Sequence, residues 1–304
     1  MTTYQTGAAF RRALEDRLLA QSQQTTVSLV RLRKLVAFDR FLARLMQAQP
    51  DAWVLKGGLA LQLRIGDRAR TTKDMDVLLT LPRGEVQRAL QGAVQLDLGD
   101  WFTFVIRPAT DALPGPGEGG LRFFVTARLD GRVFESFHVD VGSGDPVIEP
   151  AEDLMTPPLL AFAGISPVTI PCYPLTQHLA EKMHAYVRPR ATGESTRVKD
   201  LVDIILIAEH MAINGPALLK AIRATFSAQG AGEPPVSIPV PPAAWVAAFR
   251  KLAEEVGLSC TTLPAASEVT RRFLEPVLRG SAQGVWSPRE QAWTAPIAHA
   301  TSAY

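Results

Sequence analysis

Cysteine is nearly absent. The 304-residue chain carries two, Cys172 and Cys260, far apart in sequence. Two such thiols make neither a disulfide framework nor a paired zinc spacing, and they fit a reducing compartment. Both are expected to be inert and buried. A long apolar run is missing too, so no segment is expected to span a bilayer and no membrane partner is expected. The opening MTTYQTGAAFRRALEDRL lacks a basic start, an apolar core and a small-residue cleavage site. The expectation is therefore a cytoplasmic protein. Charge of one sign is not in excess: 32 basic and 30 acidic residues leave a net charge of +2. That excludes a passive nucleic-acid binder working through global positive charge. There is no G-x-x-x-x-G-K-[ST] phosphate loop and no Gly-x-Ser-x-Gly elbow, and the five histidines show no metal-ligand spacing. Walker-type NTPases, serine hydrolases and histidine-bound zinc enzymes are removed by these absences.

What is present describes a folded protein. Hydrophobic residues make up 47% and charged residues 20%, enough for one large or two modest domains. Apolar spacing predicts helices over 7–22 and 26–48. The second contains RLRKLVAFDRFLAR (31–44), where Arg31, Arg33, Lys34, Arg40 and Arg44 stand against Asp39. That cluster reads as a solvated helix face or as a phosphate-contacting surface. Trp53 to Lys56 reads as a short strand, Gly57-Gly58 as a turn, and LALQLRI as a helix. Asp76 to Thr80 reads as a strand, 83–95 as a helix and 101–107 as a strand. The Pro/Gly-rich stretch 108–120 reads as a loop. The runs 121–129 and 132–141 flank Asp130-Gly131, a hairpin dipeptide. A Gly/Pro-rich connector follows over 142–172. The later periodic segments are all helical: 175–187, 197–212, 215–228, 242–256 and 265–279. A Pro/Gly linker lies at 228–243, and the final stretch has no clear period. The fold class expected is α/β of the α+β kind. Residues 1–150 form a unit with a small mixed sheet and N-terminal helices, and 151–304 form a helical unit.

Alternate residues of a strand share a face. Asp74 and Asp76 therefore point one way, while Met75, Val77 and Leu79 point into the core. In RVFESFHVDV, Val133, Phe137, Val139 and Val141 share one face, and Ser136, His138 and Asp140 the other. If the two strands are neighbours, Asp74, Asp76 and Asp140 converge. Three converged carboxylates repel unless cations lie among them. Mg²⁺, or Mn²⁺, takes such hard oxygen ligands together with phosphate oxygens, and paired ions can clamp a phosphoryl displacement. The Gly57-Gly58 turn at a helix N-terminus presents N–H groups and a positive dipole end to a triphosphate, with Lys56 adding charge.

The order of these features is strand, Gly-Gly, helix, basic Arg/Thr segment, Asp-x-Asp, then an isolated Asp two strands on. It resembles the nucleotidyltransferase superfamily of the DNA polymerase β type. Within it, the chain is similar to the AbiEii/AbiGii toxin family, which includes the MenT-type toxins. The matching residues are Lys56-Gly57-Gly58-Leu59-Ala60-Leu61 and Arg70-Thr71-Thr72-Lys73-Asp74-Met75-Asp76. In the helical half they are Lys182-Met183-His184-Ala185 and Arg197-Val198-Lys199-Asp200-Leu201-Val202-Asp203. The resemblance runs from about residue 50 to about 210. It implies Asp74, Asp76 and Asp140 as the metal-binding carboxylates, with Asp140 also placed to activate an acceptor hydroxyl. It also implies Lys182 at the triphosphate and Asp200 or Asp203 completing the site from the helical half, in a cleft between the lobes. Lys56, Gly57, Gly58, Leu59, Thr72, Lys73, Lys182, Arg197 and Lys199 are the nucleotide-binding set.

The implied activity moves a nucleoside monophosphate from an NTP to the 3′ acceptor end of tRNA, blocking translation. The implied partners are NTP, tRNA and a cognate antitoxin protein. The same site could instead modify a protein hydroxyl, or bind nucleotide or a partner without reacting. One departure stands out. The family usually has Ser or Thr after the second glycine, where this chain has Leu59. A neighbour such as Thr72 would then have to supply the missing hydroxyl. His184 is expected to be structural. His138 shares the face of Asp140. Arg188, Arg190, Arg197 and Lys199 read as a solvated face or as contacts to phosphate or RNA.

Overall fold

The computed structural model describes residues 3–113, 120–143, 148–188 and 197–295. By its own packing the chain divides into two units. One holds the described residues up to Asp67 and from Thr71 to Tyr173. The other holds Arg68–Arg70 and the described residues from Pro174 onward.

In the first unit, α1 (Gly7–Gln24) and α2 (Leu29–Ala48) begin at polar caps. Thr6 accepts a hydrogen bond from the Ala9 amide and Ser28 from the Arg31 amide, each satisfying a donor that the first turn leaves orphaned. The remaining elements of this unit are β1 (Trp53–Lys56), α3 (Gly57–Ile65), β2 (Met75–Leu79), α4 (Val86–Val94), β3 (Phe102–Leu113), β4 (Gly120–Leu129), β5 (Arg132–Ser143), β6 (Glu152–Met155) and β7 (Thr169–Cys172). Seven strands form one mixed sheet in the order β3-β4-β5-β2-β1-β7-β6. The pair β2·β5 is parallel and β1·β2 antiparallel, which puts β2 at the centre of the sheet.

Hydrophobic alternation orients that sheet. Met75, Val77, Leu79, Val139, Val141, Phe123 and Val125 are buried in one core with Leu35, Phe38, Phe41, Leu42 and Leu45 of α2. Phe38 meets Phe137 edge-on at 4.9 Å. Each fully buried Leu or Phe contributes about 1.5–3 kcal/mol, so α2 fastens the sheet mainly through this stripe. The intervening positions leave polar side chains on the other face.

Several elements differ from the sequence reading. β3 extends through 108–113, inside the stretch expected to be a loop; positions 114–119 lie outside the described residues. The connector 142–172 contributes β6 and β7, both part of the sheet, so the first unit runs on to Tyr173. Strands of four residues are too short for a period to show. Val133 is 55% exposed rather than inward-facing. A register shift lies between Ala127 and Arg128, where Arg128 pairs with Val133 and Ala127 with Glu135. Phe134 is the extra residue, and it is buried in place of Val133.

The basic run of α2 is neither a solvated face nor a phosphate surface. Arg44 is fully buried, with a bidentate pair to Asp100 at 2.8 and 3.0 Å and a bond to the Phe102 carbonyl. Arg40 pairs with Asp39. Arg33 holds Glu15 and the Phe134 carbonyl, and Lys34 the Ser136 carbonyl. These cations bind the unit's own segments together. Burial is the main influence on Asp39 and pushes its carboxyl above the usual range, against the pull of Arg40.

The second unit contains α5 (Leu175–Val187), α6 (Val198–His210), α7 (Gly215–Ala228), α8 (Val246–Val256) and α9 (Leu263–Leu278). It also has a three-stranded sheet the sequence did not suggest: β8 (Ile213–Asn214), β9 (Val285–Ser287) and β10 (Ala292–Trp293). Trp286 of β9 is fully buried against Phe273 at 4.8 Å and donates to the Ala208 carbonyl. The linker 228–243 is fastened too: Ile238 is buried, and Tyr186 donates to the Pro239 carbonyl at 2.8 Å. Both cysteines are free and buried. Burial pushes the Cys172 thiol up to about 12 and the Cys260 thiol up to about 11. No helix among the described residues is long and apolar enough to cross a membrane.

Candidate functional site

In the first unit, pairing across the sheet lines up four charged residues. Lys56 of β1 pairs with Asp76 of β2, Asp76 with Asp140 of β5, and Asp140 with Arg122 of β4. Paired residues on neighbouring strands share a face, so two carboxylates lie side by side with a cation at each end of the row. Asp74, just before β2, is one step along. Its Oδ1 is 3.3 Å from His138 Nδ1, and His138 stands two residues before Asp140 on the same face. Asp74, Asp76 and Asp140 are therefore gathered on the side of the sheet opposite the hydrophobic core.

The Gly-Gly turn is built against this row. Gly57 has φ +66, and a Cβ there would stand 1.9 Å from Asp76 Oδ2. Only glycine permits both that backbone conformation and that approach. Gly57 opens α3, whose first-turn amides lack intrahelical partners and carry the positive end of the helix dipole. Gly58 and Leu59 are buried. The Leu59 side chain belongs to the hydrophobic core, so what it can offer a nucleotide is its backbone N–H. Thr72 is buried, and its Oγ1 donates to the Asp74 carbonyl at 3.1 Å. It shapes the approach to β2. Lys73 is exposed, and Lys56 Nζ lies 5.1 Å over the Tyr173 ring.

Arg122 is the residue that sequence reasoning missed. Its guanidinium takes both Asp140 oxygens, each at 2.7 Å, a bidentate fork of the strong kind. These bonds push the Arg122 pKa up; partial burial opposes this, and the charges of Asp140, Asp74 and Asp76 add to it. The donor chemistry fits a hard divalent ion at Asp74 and Asp76, since Mg²⁺ is usually held by one or two carboxylates plus phosphate oxygens and water. Asp140 is committed to Arg122. Among the described residues no group of three His, Cys, Asp or Glu side chains is set to hold an ion as it stands.

The second unit carries its own charged cluster. Lys182 of α5 is buried, with Nζ 2.5 Å from Asp203 and 3.3 Å from Asp200 of α6. Arg70 forks onto both Asp203 oxygens at 3.0 Å, and Arg197 reaches Asp200 at 3.3 Å. Asp203 is fully buried. Burial would push its carboxyl up, but Lys182 and Arg70 outweigh it and hold it below the usual range. Desolvation would lower the Lys182 pKa, and the two aspartates hold it raised. Asp203 is thus the anchor of Lys182, and Asp200, 12% exposed at its side chain, is the outer partner. Lys199 is exposed on the next position of α6, and Arg190 lies outside the described residues. His184 is buried edge-on to Phe226 at 5.0 Å. Burial, then the Arg188 charge, hold its pKa low, as a structural histidine requires.

A family model described as nucleotidyl transferase AbiEii toxin, of a type IV toxin–antitoxin system, matches residues 40–276. No curated protein matches significantly. Among solved structures, MenT4, a nucleotidyltransferase toxin of Mycobacterium tuberculosis, is similar with a TM-score of 0.51 and 20% identity, covering 89% of this chain and 98% of that one. JHP933 of Helicobacter pylori is similar at a TM-score of 0.43 and 15% identity over 81% of this chain and 96% of that one. An antigenic nucleotidyltransferase-like protein of Paracoccidioides brasiliensis scores 0.35 at 18% identity, over 66% and 92%.

Proposed function

The chain belongs to the AbiEii family of toxin–antitoxin nucleotidyltransferases, and from that premise we propose that it transfers a nucleoside monophosphate from an NTP to the 3′ acceptor end of tRNA. The observation that carries this reading is the pairing of Asp76 with Asp140 on one sheet face, beside Asp74 and against the Gly57 turn. Asp74 and Asp76 would hold a divalent ion, Mg²⁺ or Mn²⁺, which would supply charge neutralisation at the phosphate oxygens. The first-turn amides of α3 receive the triphosphate. The acceptor 3′ hydroxyl gives its proton to Asp140, its oxygen bonds to the α-phosphorus, and the bond to the β-phosphate oxygen breaks, releasing pyrophosphate. Positioning and charge neutralisation supply most of the rate. Blocking tRNA acceptor ends stops translation, and a cognate antitoxin is the partner that restrains the protein in the cytoplasm.

The test is label transfer. Purified protein with Mg²⁺, each α-labelled NTP in turn and total tRNA is expected to label tRNA, and the Asp74→Ala/Asp76→Ala variant is not. Label on protein instead of RNA overturns the acceptor assignment while keeping the reaction class. No label and no pyrophosphate overturns both.

A further inference from the structure

We propose that Arg122 is an internal counter-cation that keeps the carboxylate face closed to metal ions until a nucleotide arrives. The inference rests on the nucleotidyl-transfer reading and deepens it, because it concerns how the site is loaded.

Both Asp140 oxygens are held by the Arg122 fork at 2.7 Å. The residue sits directly across from Asp140 in the strand register, one strand beyond the Asp76–Asp140 pair. A guanidinium is a permanent charge with a geometry matched to carboxylate and phosphate alike. In the absence of ligand it offsets part of the repulsion among Asp74, Asp76 and Asp140 that would otherwise be relieved by a metal ion. A divalent ion arriving alone meets a site whose negative charge is already partly neutralised.

A triphosphate changes the balance. It brings oxygens of the same chemistry, to which the guanidinium can move without losing its hydrogen bonds. The Arg122 side chain is 37% exposed, so it is not locked by packing. Release of Arg122 frees both oxygens of Asp140 to accept the hydroxyl proton. Metal and nucleotide then bind with positive coupling, and by linkage each raises the other's affinity by the same factor.

The test is Mn²⁺ binding followed by electron paramagnetic resonance, with and without an α,β-methylene NTP that cannot react. Wild type is expected to bind Mn²⁺ alone weakly, and at least about tenfold more tightly with the analogue. Arg122→Gln removes the charge and is expected to bind Mn²⁺ alone about tenfold more tightly than wild type, with most of the coupling lost. Arg122→Lys keeps the charge but not the fork and falls between them. If Arg122→Gln binds Mn²⁺ alone as wild type does, the inference is wrong. Should that variant not fold, Arg122→Lys decides: Mn²⁺ affinity in the absence of analogue equal to that of wild type overturns the inference. The Asp76→Ala variant separates the two levels. If it abolishes Mn²⁺ binding in the presence of analogue while Arg122→Gln changes nothing, only the role of Arg122 fails. If Asp76→Ala changes nothing, the nucleotidyl-transfer site itself is misplaced.

Discussion

Replacing Gly57 with alanine adds one carbon at the most crowded point of the carboxylate face. The new Cβ would stand 1.9 Å from Asp76 Oδ2 and 2.8 Å from Asp76 Cβ. Ordinary carbon contacts lie at about 3.5–4.0 Å, so either the turn or Asp76 must move by roughly 1.5 Å. The backbone adds its own penalty, since φ is +66 there and a left-handed conformation costs an L-residue about 1–2 kcal/mol. Gly66 separates the two effects. It has φ +63, and a Cβ there meets nothing within 4 Å. Its ψ of −133 puts it outside the left-handed helical well, so Gly66→Ala is expected to lose about 1–3 kcal/mol of stability from backbone strain and to keep its transfer rate within about threefold. Gly57→Ala is expected to lose about a hundredfold or more in kcat/KM, as a misplacement of about 1 Å does. Urea unfolding gives the stabilities, and α-labelled NTP transfer gives the rates. Gly57→Ala retaining activity within threefold of Gly66→Ala would refute the claim that Asp76 must sit against that turn.

Three other outcomes follow from the same geometry. Asp203→Asn leaves the buried Lys182 and the half-buried Arg70 without their shared carboxylate and is expected to cost about 3–5 kcal/mol; calorimetry would show it, and a loss below about 1 kcal/mol would contradict the anchor role. Leu59→Ser restores the residue type usual in the family but opens the core; it is expected to cost about 2–5 kcal/mol, as Leu→Ala does, without tightening NTP binding by isothermal titration. The pH dependence follows from Asp203, whose folded pKa lies below its ordinary 3.8. Its contribution is complete above that value, where the unfolded carboxyl is ionised too, and is lost as pH falls through the lower folded pKa. In Asp203→Asn, stability should fall less steeply below about pH 4 than in wild type; equal slopes would contradict the assignment.

The parts of the site that follow local periods were legible in the sequence. Asp76 and Asp140 could be placed on one face because strand alternation is strict, and Gly57-Gly58 marked a turn by its composition. The cation opposite Asp140 was not legible. Counting outward from the Asp130-Gly131 turn without a bulge would pair Asp140 with Leu121. The irregularity between Ala127 and Arg128 shifts the register by one and brings Arg122 there instead. No composition signal marked that bulge. The side-chain directions of Thr72 and Leu59 were not legible for a related reason. A motif gives residue types but not the direction of each side chain, and packing turned one toward a carbonyl and the other into the core. The basic run of α2 looked like a surface because its acidic partners Asp100 and Glu15 lie far away in sequence.

The most direct test of the central claim is mass spectrometry of tRNA 3′ ends after incubation with the protein, Mg²⁺ and the four NTPs. The account predicts tRNAs extended by at least one nucleotide in the presence of wild type, and unextended ends with a folded Asp76→Asn variant. Extension that persists in Asp76→Asn, or unextended tRNA with active wild type, would contradict it.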